Sequence, residues 1–478
     1  MHPSVNSTST TADVPSSVID GAFLENNNNA TALSATPGYD AYGNRSASTT
    51  YIVAACIGFG LLLSAILGVL CLRHRKERNS QKELVKVEGM LNIPLLTRPV
   101  NVNIDYSRSP QEQAEYLPYY PKFEIPLEHL RIDNGTTLGK GNFGKVIKTE
   151  AQIDGQWLTV AVKMCGGNTS QSRTKECLAE KQFLEEIKIM MHIGRHINIV
   201  NILGAVRRNS ENDKCYMILE YCQYGSLLSY LKTYQKQNRF CNIVDSATGR
   251  INRSLLAQKT ALQHYLPEDN NHVLSTDDLL YFAYQVSKGM EYLSKKRITH
   301  RDLAARNILV SDHETVKIAD FGLSRSESEY QDKGSVRPSH SIKEFPWRYL
   351  APESLAGLKF SMQSDVWSYG ILLWEIFSLG SVPYFGRRCD QHFIRGITSG
   401  SLRLERAYLA PEFVYNIMVG CWNGEPTDRP DFATVSTRLQ EHLDENLFQR
   451  YIEICIPYDE YNLEFSREQE EYLNNKHF

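Results

Sequence analysis

The stretch that decides the reading of this chain runs from residue 300 to residue 322. It opens His300-Arg301-Asp302-Leu303-Ala304-Ala305-Arg306-Asn307 and continues through Ile308-Leu309-Val310, a polar turn and Val316-Lys317-Ile318 to Asp320-Phe321-Gly322. Two short apolar runs about a polar turn predict a β-hairpin. The chain enters it past Asp302 and Asn307 and leaves it at Asp320, so three oxygen-bearing side chains fall at the hairpin's ends. Immediately upstream, Leu279, Phe282, Ala283, Val286, Met290 and Leu293 recur at helical spacing and predict a helix over residues 276–296. Ser275-Thr276-Asp277-Asp278 offers it a cap and places acids in its first turn.

Further upstream, Leu138-Gly139-Lys140-Gly141-Asn142-Phe143-Gly144-Lys145-Val146 carries glycines in the pattern G-x-G-x-x-G-x-V. Dinucleotide-binding folds share that pattern but open a helix after it. Here the loop runs into β-type residues, Lys145-Val146-Ile147-Lys148, and then a second strand. Glycines in such a hairpin let the backbone close over a triphosphate without side-chain obstruction. Val160-Ala161-Val162-Lys163 is a strand ending in a lysine suited to holding phosphates. A helix over residues 174–193, with Phe183, Ile187 and Met190 on its apolar stripe, sets Glu186 facing inward as that lysine's partner.

These elements, in this order and at these spacings over roughly residues 130–447, resemble the protein kinase signature set. The resemblance implies an α+β bilobal protein kinase fold, with a small β-rich N-lobe and a mainly α-helical C-lobe. It implies that Asp302 accepts the substrate hydroxyl proton, with Arg306 beside it, and that Asn307 and Asp320 hold Mg2+. Lys163, paired with Glu186, would orient the phosphates of ATP under the glycine loop, Leu138 to Val146. Ala161, the backbone of Glu220-Tyr221-Cys222 and a floor at Leu309 would enclose the adenine, with Leu219 as gatekeeper.

The string HRDLAARN at 300–307 resembles receptor tyrosine kinases, where Ser/Thr kinases usually place a lysine two residues after the aspartate. Asp365-Val366-Trp367-Ser368-Tyr369-Gly370-Ile371, Pro383-Tyr384, Cys421-Trp422 and Arg429-Pro430 are tyrosine-kinase-like as well. The substrate-docking loop departs from that family. It keeps Pro346 and Arg348, but Tyr349 and Leu350 stand where the family has Trp and Met. Tyr330 falls where the family's autophosphorylated tyrosine lies, in a segment shorter before it and longer after it. A phosphate there would be available to Arg301 or Arg325. A polar stretch over residues 232–275 splits the domain, as in the platelet-derived and vascular endothelial growth factor receptor class. Tyr120-Pro121-Lys122-Phe123-Glu124-Ile125-Pro126 resembles that class too. The short N-terminal region is instead similar to a small group of nematode receptor-like tyrosine kinases.

Residues 51–72 contain 22 residues without a charge. A helix of that length reaches about 33 Å, enough for a hydrocarbon core of about 30 Å. The basic run from Arg73 to Arg78 follows it, so the positive-inside tendency places the N-terminus outside and the rest in the cytoplasm, as a single-pass protein of the cell membrane. A cleaved signal peptide fits poorly, because the first residues have neither a basic start nor an apolar run. Residues 1–50 are polar and cysteine-free, and are expected to be disordered. They hold the glycosylation acceptors Asn6, Asn29 and Asn44. Gly60, Ser64 and Gly68 form a small-residue stripe through which two spans could pack. Residues 73–129 form a juxtamembrane segment and residues 448–478 a C-terminal tail. The net charge of −3 over 478 residues gives no indication of nucleic-acid binding. Cys165, Cys177, Cys215, Cys222, Cys389 and Cys421 suit neither zinc nor a disulfide framework and are expected to be reduced.

Tyrosines gather outside the kinase-like region: Tyr106, Tyr116, Tyr119 and Tyr120 before it, Tyr451, Tyr458, Tyr461 and Tyr472 after it. Tyr472-Leu473-Asn474 and Tyr451-Ile452-Glu453-Ile454 resemble docking sequences for SH2-domain adaptors. Alternatively, Tyr451 packs against the last kinase helix. The expected substrates are proteins with tyrosine, including the chain itself, with a homodimer or a co-receptor in the membrane. Two other classes compete. Retention of Lys163, Glu186, Asp302, Asn307 and Asp320 argues against a pseudokinase scaffold. Residues 1–50 are too polar to fold into a ligand site, which argues against a ligand-binding receptor and for activation by density, by a co-receptor or constitutively.

Overall fold

Period-two patterning builds the first part of the folded region and helical patterning the remainder. A computed structural model describes residues 66–75, 78, 108–141, 144–165, 173–207, 214–264, 266, 272–320 and 346–474. The chain divides into two compact units, residues 1–76 and 77–478. In the first, residues 66–75 are helical and exposed. Among the described residues no helix is long and apolar enough to cross a membrane. Residues 51–65, most of the expected span, lie outside the described residues, as do Asn6, Asn29, Asn44, Asn142, Phe143 and Tyr330.

In the second unit, β1 (Thr136–Gly141), β2 (Gly144–Ile153) and β3 (Gln156–Cys165) precede the helix α1 (Arg173–Ile193). The strands β4 (Ile202–Val206) and β5 (Tyr216–Glu220) complete an antiparallel sheet of order β1-β2-β3-β5-β4. Alternation is plain in β2, where Ile147, Thr149 and Ala151 are buried and Lys148 and Glu150 exposed. Ile147 and Ala151 meet Val160 and Val162 of β3 and Ile218 of β5 in the sheet's own core. The register sets Lys163 opposite Val146 on one side and Met217 on the other. Lys163 is therefore fixed in the middle of the sheet.

The helical lobe begins with α2 (Leu227–Lys236). The polar stretch read as an insert is folded at its root. There β6 (Phe240–Cys241) pairs in parallel with β7 (Leu274–Ser275), and α3 (Ala257–His264) lies between them. Cys241, Ile243 and Val273 form a small core of their own. Next, α4 (Thr276–Lys295) has the expected cap, the Ser275 amide donating to Asp278 Oδ2 at 2.6 Å. The hairpin of β8 (Ile308–Val310) and β9 (Val316–Ile318) forms as read. The helices α5 (Pro352–Gly357), α6 (Met362–Phe377), α7 (Gln391–Ser399), α8 (Glu412–Cys421) and α9 (Phe432–Gln440) follow. Most of the C-terminal segment 448–478 is helical, within α10 (Glu445–Asn474).

Candidate active site

Almost every residue of α6 is buried, and its two acids use that burial to hold the 300–307 loop. Asp365 accepts from the amides of His300 at 2.6 Å and Arg301 at 2.9 Å. Glu375 accepts from the amide of Ala305 at 2.9 Å and the hydroxyl of Tyr349 at 2.7 Å. Burial pushes Asp365 up to about 7 against the pull of those two amides. Arg301 has φ +68°, a left-handed conformation disfavoured for a bulky side chain, and the Asp365 bond to its amide helps to hold it there. The buried His300 ring is kept neutral by desolvation. Its Nε2 lies 3.1 Å from the Ala319 carbonyl, which can only accept, so Nε2 carries the proton and Nδ1 accepts from the Asp302 amide at 3.2 Å.

That frame fixes Asp302. Asn307 Nδ2 donates to Asp302 Oδ2 at 2.8 Å and to its carbonyl at 2.7 Å, and Arg306 Nη2 pairs with Oδ1. The Arg306 guanidinium also lies over the Tyr349 ring, 4.9 Å from its centre. Tyr349, one of the two departures in the docking loop, thus braces both Glu375 and Arg306. Burial and then the Glu375 carboxylate hold its phenol far above the usual range.

Lys163 Nζ is 2.6 Å from Glu186 Oε1 and 3.7 Å from Asp320 Oδ1. The lysine and glutamate side chains are only 8% and 11% exposed, whereas Asp320 is 67% exposed. Burial works against the lysine's charge, but Glu186 and then Asp320 outweigh it and raise its pKa above the ordinary value. The pairing joins β3 to α1, so the strand lysine and helix acid read from sequence do meet. Asn307 spends its amide nitrogen on Asp302, which leaves its amide oxygen available as a metal ligand, and its backbone carbonyl accepts from the amide of Ala319, the residue before Asp320. Among the described residues no group of three or more His, Cys, Asp or Glu side chains could hold a metal. Two oxygen donors of this kind fit a hard divalent cation that takes its remaining ligands from phosphate and water.

Between sheet and hairpin, Val200, Cys222 and Ala319 cluster with Leu219 and Leu309. Burial pushes the Cys222 thiol up to about 12, so it acts there as a small apolar group. Ala161 is buried in β3 opposite Leu219, and Leu138 in β1 is exposed. The Glu220 side chain is committed elsewhere. It accepts from Asn201 Nδ2 at 3.0 Å and pairs with the buried Lys317 at 2.9 Å. The Glu220 amide donates to the Asn201 carbonyl at 3.1 Å.

Sequence reading missed the roles of Asp365, Glu375, Asn201 and Lys317. Glu375 carried a signal, a lone acid inside Ile371-Leu372-Leu373-Trp374-Glu375-Ile376-Phe377, and Lys317 carried another between Val316 and Ile318. A charge inside an apolar run must be buried with a partner. Of the flanking tyrosines, Tyr116 is exposed, whereas Tyr119, Tyr120 and Tyr451 are buried. Tyr451 donates to Asn198 Oδ1 at 2.8 Å and packs edge-on to Tyr281 and Tyr284 of α4, so it is buried, but against α4 rather than against the last kinase helix.

A family model described as protein tyrosine and serine/threonine kinase matches residues 132–439. Vascular endothelial growth factor receptor 3 of Danio rerio is 38% identical over 358 residues, covering 70% of this chain and 25% of that receptor. Vascular endothelial growth factor receptor 1 of Mus musculus is 34% identical, over 83% of this chain and 30% of the receptor. The mast/stem cell growth factor receptor Kit of Takifugu rubripes is 36% identical, over 70% and 37%. The chain thus spans roughly a quarter to a third of the length of these relatives. With the Lys163–Glu186 pair, the Asp302 frame and the bilobal architecture, the chain belongs to the protein tyrosine and serine/threonine kinase family.

Proposed function

We propose that this chain is a receptor-type protein tyrosine kinase that transfers the γ-phosphoryl group of ATP to tyrosine hydroxyls. The observation that carries the reading is the convergence of Lys163, Glu186 and Asp320 opposite an Asp302 held by Asn307 and Arg306. In this reading Asp302 Oδ2 takes the phenolic proton as the tyrosine oxygen bonds to the γ-phosphorus. Lys163 orients the phosphates, and Glu186 keeps it in place. The glycine loop from Leu138 to Val146 covers them, and the Ala161, Cys222 and Leu309 surfaces enclose the adenine. Mg2+, at Asn307 and Asp320, would supply neutralisation of the charge on the transferring group. Positioning and electrostatics carry such a reaction, and the bonds from α6 make that positioning rigid.

Tyrosine as acceptor is supported by Arg306 at its place between Asp302 and Tyr349, and by the named relatives. We assign residues 1–50 to the extracellular side, with glycans at Asn6, Asn29 and Asn44, and residues 51–72 to a membrane span. Residues 73–129 would be juxtamembrane, and 130–447 the cytoplasmic kinase domain with its insert at 232–275. Tyr330 would be the activating phosphosite, and Tyr472 a docking site for SH2-domain adaptors. Clustering as a homodimer or with a co-receptor would bring substrate tyrosines together.

The test is phosphotyrosine formation by the detergent-solubilised full chain with ATP and magnesium, on itself and on a random Glu/Tyr polymer, beside an Asp302→Asn copy. Phosphotyrosine from the native chain alone supports the reading. A folded, nucleotide-binding chain that transfers nothing would overturn it, and transfer confined to serine would overturn the substrate class.

A further inference from the structure

Both halves of α10 touch the turn after α1, the first half packing also on α4 and the second on the segment before β1. Pro457, inside the helix, lacks the amide that would bond one turn back and divides the halves. Before it, the buried Tyr451 sits edge-on to Tyr284 with ring centres 5.1 Å apart, Arg450 pairs with Glu314 at 2.6 Å, and Tyr451 completes the bonding of Asn198. These contacts belong to the helical lobe and to the turn that follows α1.

After Pro457 the helix reaches the back of α1. The Arg195 amide donates to Asn462 Oδ1 at 2.9 Å, and Asn462 Nδ2 donates to the Arg195 carbonyl at 2.6 Å. One side chain thereby engages both backbone groups of a residue that lies two positions beyond the end of α1. Gly194 permits the approach: it has φ +84°, and a Cβ there would lie 2.6 Å from Asn462 Oδ1. The Arg195 guanidinium lies 4.1 Å from the centre of the Tyr461 ring. Phe465 packs edge-on against Tyr120 and Phe123, while Lys122 lies over Phe465 and pairs with Glu468. At the far end the Tyr472 ring lies 5.5 Å from that of Tyr120, and its hydroxyl donates to the Tyr119 carbonyl at 3.3 Å.

The segment that α10 grips in turn grips α1. Glu115 accepts from Lys188 through its carbonyl at 2.8 Å and pairs with Lys181 through its carboxylate at 3.2 Å. The helix that carries Glu186 is therefore held by α10 just past its C-terminus, at Arg195, and on its side by a segment that α10 also anchors.

We propose that α10 is a latch: its seating holds α1 where Glu186 meets Lys163, and phosphorylation of Tyr472 opens its distal end. The second half rests on the kinase reading above. In that step the Tyr472 oxygen bonds to the γ-phosphorus of ATP in the site of a second copy. The bond from γ-phosphorus to the bridging oxygen breaks, ADP leaves, and the phenolic proton passes to a base. The phosphorylated oxygen can no longer donate to the Tyr119 carbonyl. It also brings nearly two negative charges onto a turn that already carries Glu468, Glu470 and Glu471. Releasing Tyr472-Leu473-Asn474 from the helix would also free it as a peptide for adaptors, so latching and docking exclude each other.

Hydrogen exchange and ATP kinetics on the solubilised full chain test this, with Asn462→Ala, Asn462→Asp, Tyr472→Glu and Tyr472→Phe. Asn462→Ala loses two hydrogen bonds, and exchange over residues 458–474 should rise about tenfold, which corresponds to about 1.4 kcal/mol of local stability. Exchange in α1 should rise with it, and kcat/KM for ATP should fall, while the global melting temperature moves little. Asn462→Asp, which keeps the acceptor for the Arg195 amide, should fall between. Tyr472→Glu should loosen the distal helix as phosphorylation does. After incubation with ATP the wild-type chain should loosen there and Tyr472→Phe should not. Unchanged exchange in Asn462→Ala and Tyr472→Glu, or loosened exchange with unaltered kcat/KM for ATP, would overturn the proposal. If the wild-type chain takes up no phosphate, the kinase reading fails, whereas the two substitutions still decide the latch.

Discussion

In the proposed reaction Asp302 is the residue on which the chemistry turns, and its two donors make that role testable. Asn307 and Arg306 both donate to its carboxylate, so Asp302→Asn preserves shape but presents an NH2 group where one of those donors meets an acceptor. A positioned general base contributes roughly 10²- to 10⁴-fold, so phosphotransfer should fall by about that factor while nucleotide affinity holds. The check is the rate of phosphotyrosine formation alongside nucleotide binding, and equal loss of both would instead mean that the loop has collapsed. Tyr349 supports a second prediction at this scale. Tyr349→Phe removes the hydroxyl from Glu375, which is buried and keeps only the Ala305 amide among the two bonds described. An under-satisfied buried acceptor costs about 1–3 kcal/mol, so the melting temperature should drop by several degrees. An unchanged melting temperature would mean that water replaces the hydroxyl.

Among the elements, α6 shows where local preference and packing pull apart. Alanine is favoured over glycine inside a helix by about 1 kcal/mol. At Gly370, however, a Cβ would lie 2.6 Å from Trp422 Nε1 and 2.8 Å from Cys421 Cβ, so α6 and α8 meet through the missing side chain. Overpacking of this kind costs about 1–3 kcal/mol, and a buried Trp ring has little room to yield. Gly370→Ala should therefore destabilise the chain on balance, by about 1 kcal/mol in denaturant unfolding, and a stabilised variant would refute the packing argument. The same contest explains which elements were legible. The helix α4 and the β8–β9 hairpin follow from periodicity, because one face of each is apolar and the caps and turns agree with it. The strands β6 and β7 are two residues each and leave no period to read. Likewise α10 was obscured by Pro457 and by the acid-rich run after it. Its inward side chains, Tyr451, Asn462, Phe465 and Tyr472, are aromatic or polar and stabilised by partners far away in sequence. The loop carrying Asp302 was legible as a motif, but what holds it was not. Asp365 and Glu375 act from a helix more than sixty residues along the chain, a distance across which no motif spacing reaches.

At the scale of the whole molecule, the joint behind α1 makes stability depend on pH. His192 lies in the last turn of α1, and burial, then Lys296, lowers it to about 4. His196 follows in the turn, where burial and then Lys317 and Lys288 lower it to about 3, with Glu291 pulling the other way. The His196 ring packs on Tyr292 with centres 4.8 Å apart, and its Nδ1 accepts from the Asn198 amide at 3.0 Å, which requires an unprotonated nitrogen. Both histidines are thus neutral in the fold at pH values where the unfolded chain, near 6.5, already binds protons. The unfolded state takes up more protons as pH falls below about 6.5, so stability declines by up to about 1.4 kcal/mol per pH unit for each histidine. The contribution is complete above the unfolded value and is lost progressively from about 6.5 down towards the folded values. The two histidines should accordingly lower the unfolding midpoint between pH 7 and pH 5, against an opposing contribution from Asp365, whose raised value makes the folded state take up a proton in the same range. Removing the titrating ring with His196→Asn should lower stability at neutral pH but flatten that slope. An equal slope with and without His196 would show that this joint stays unprotonated for another reason or that other groups dominate. A flattened one would tie acid sensitivity to the same turn that α10 grips, and so to the position of the helix that carries Glu186.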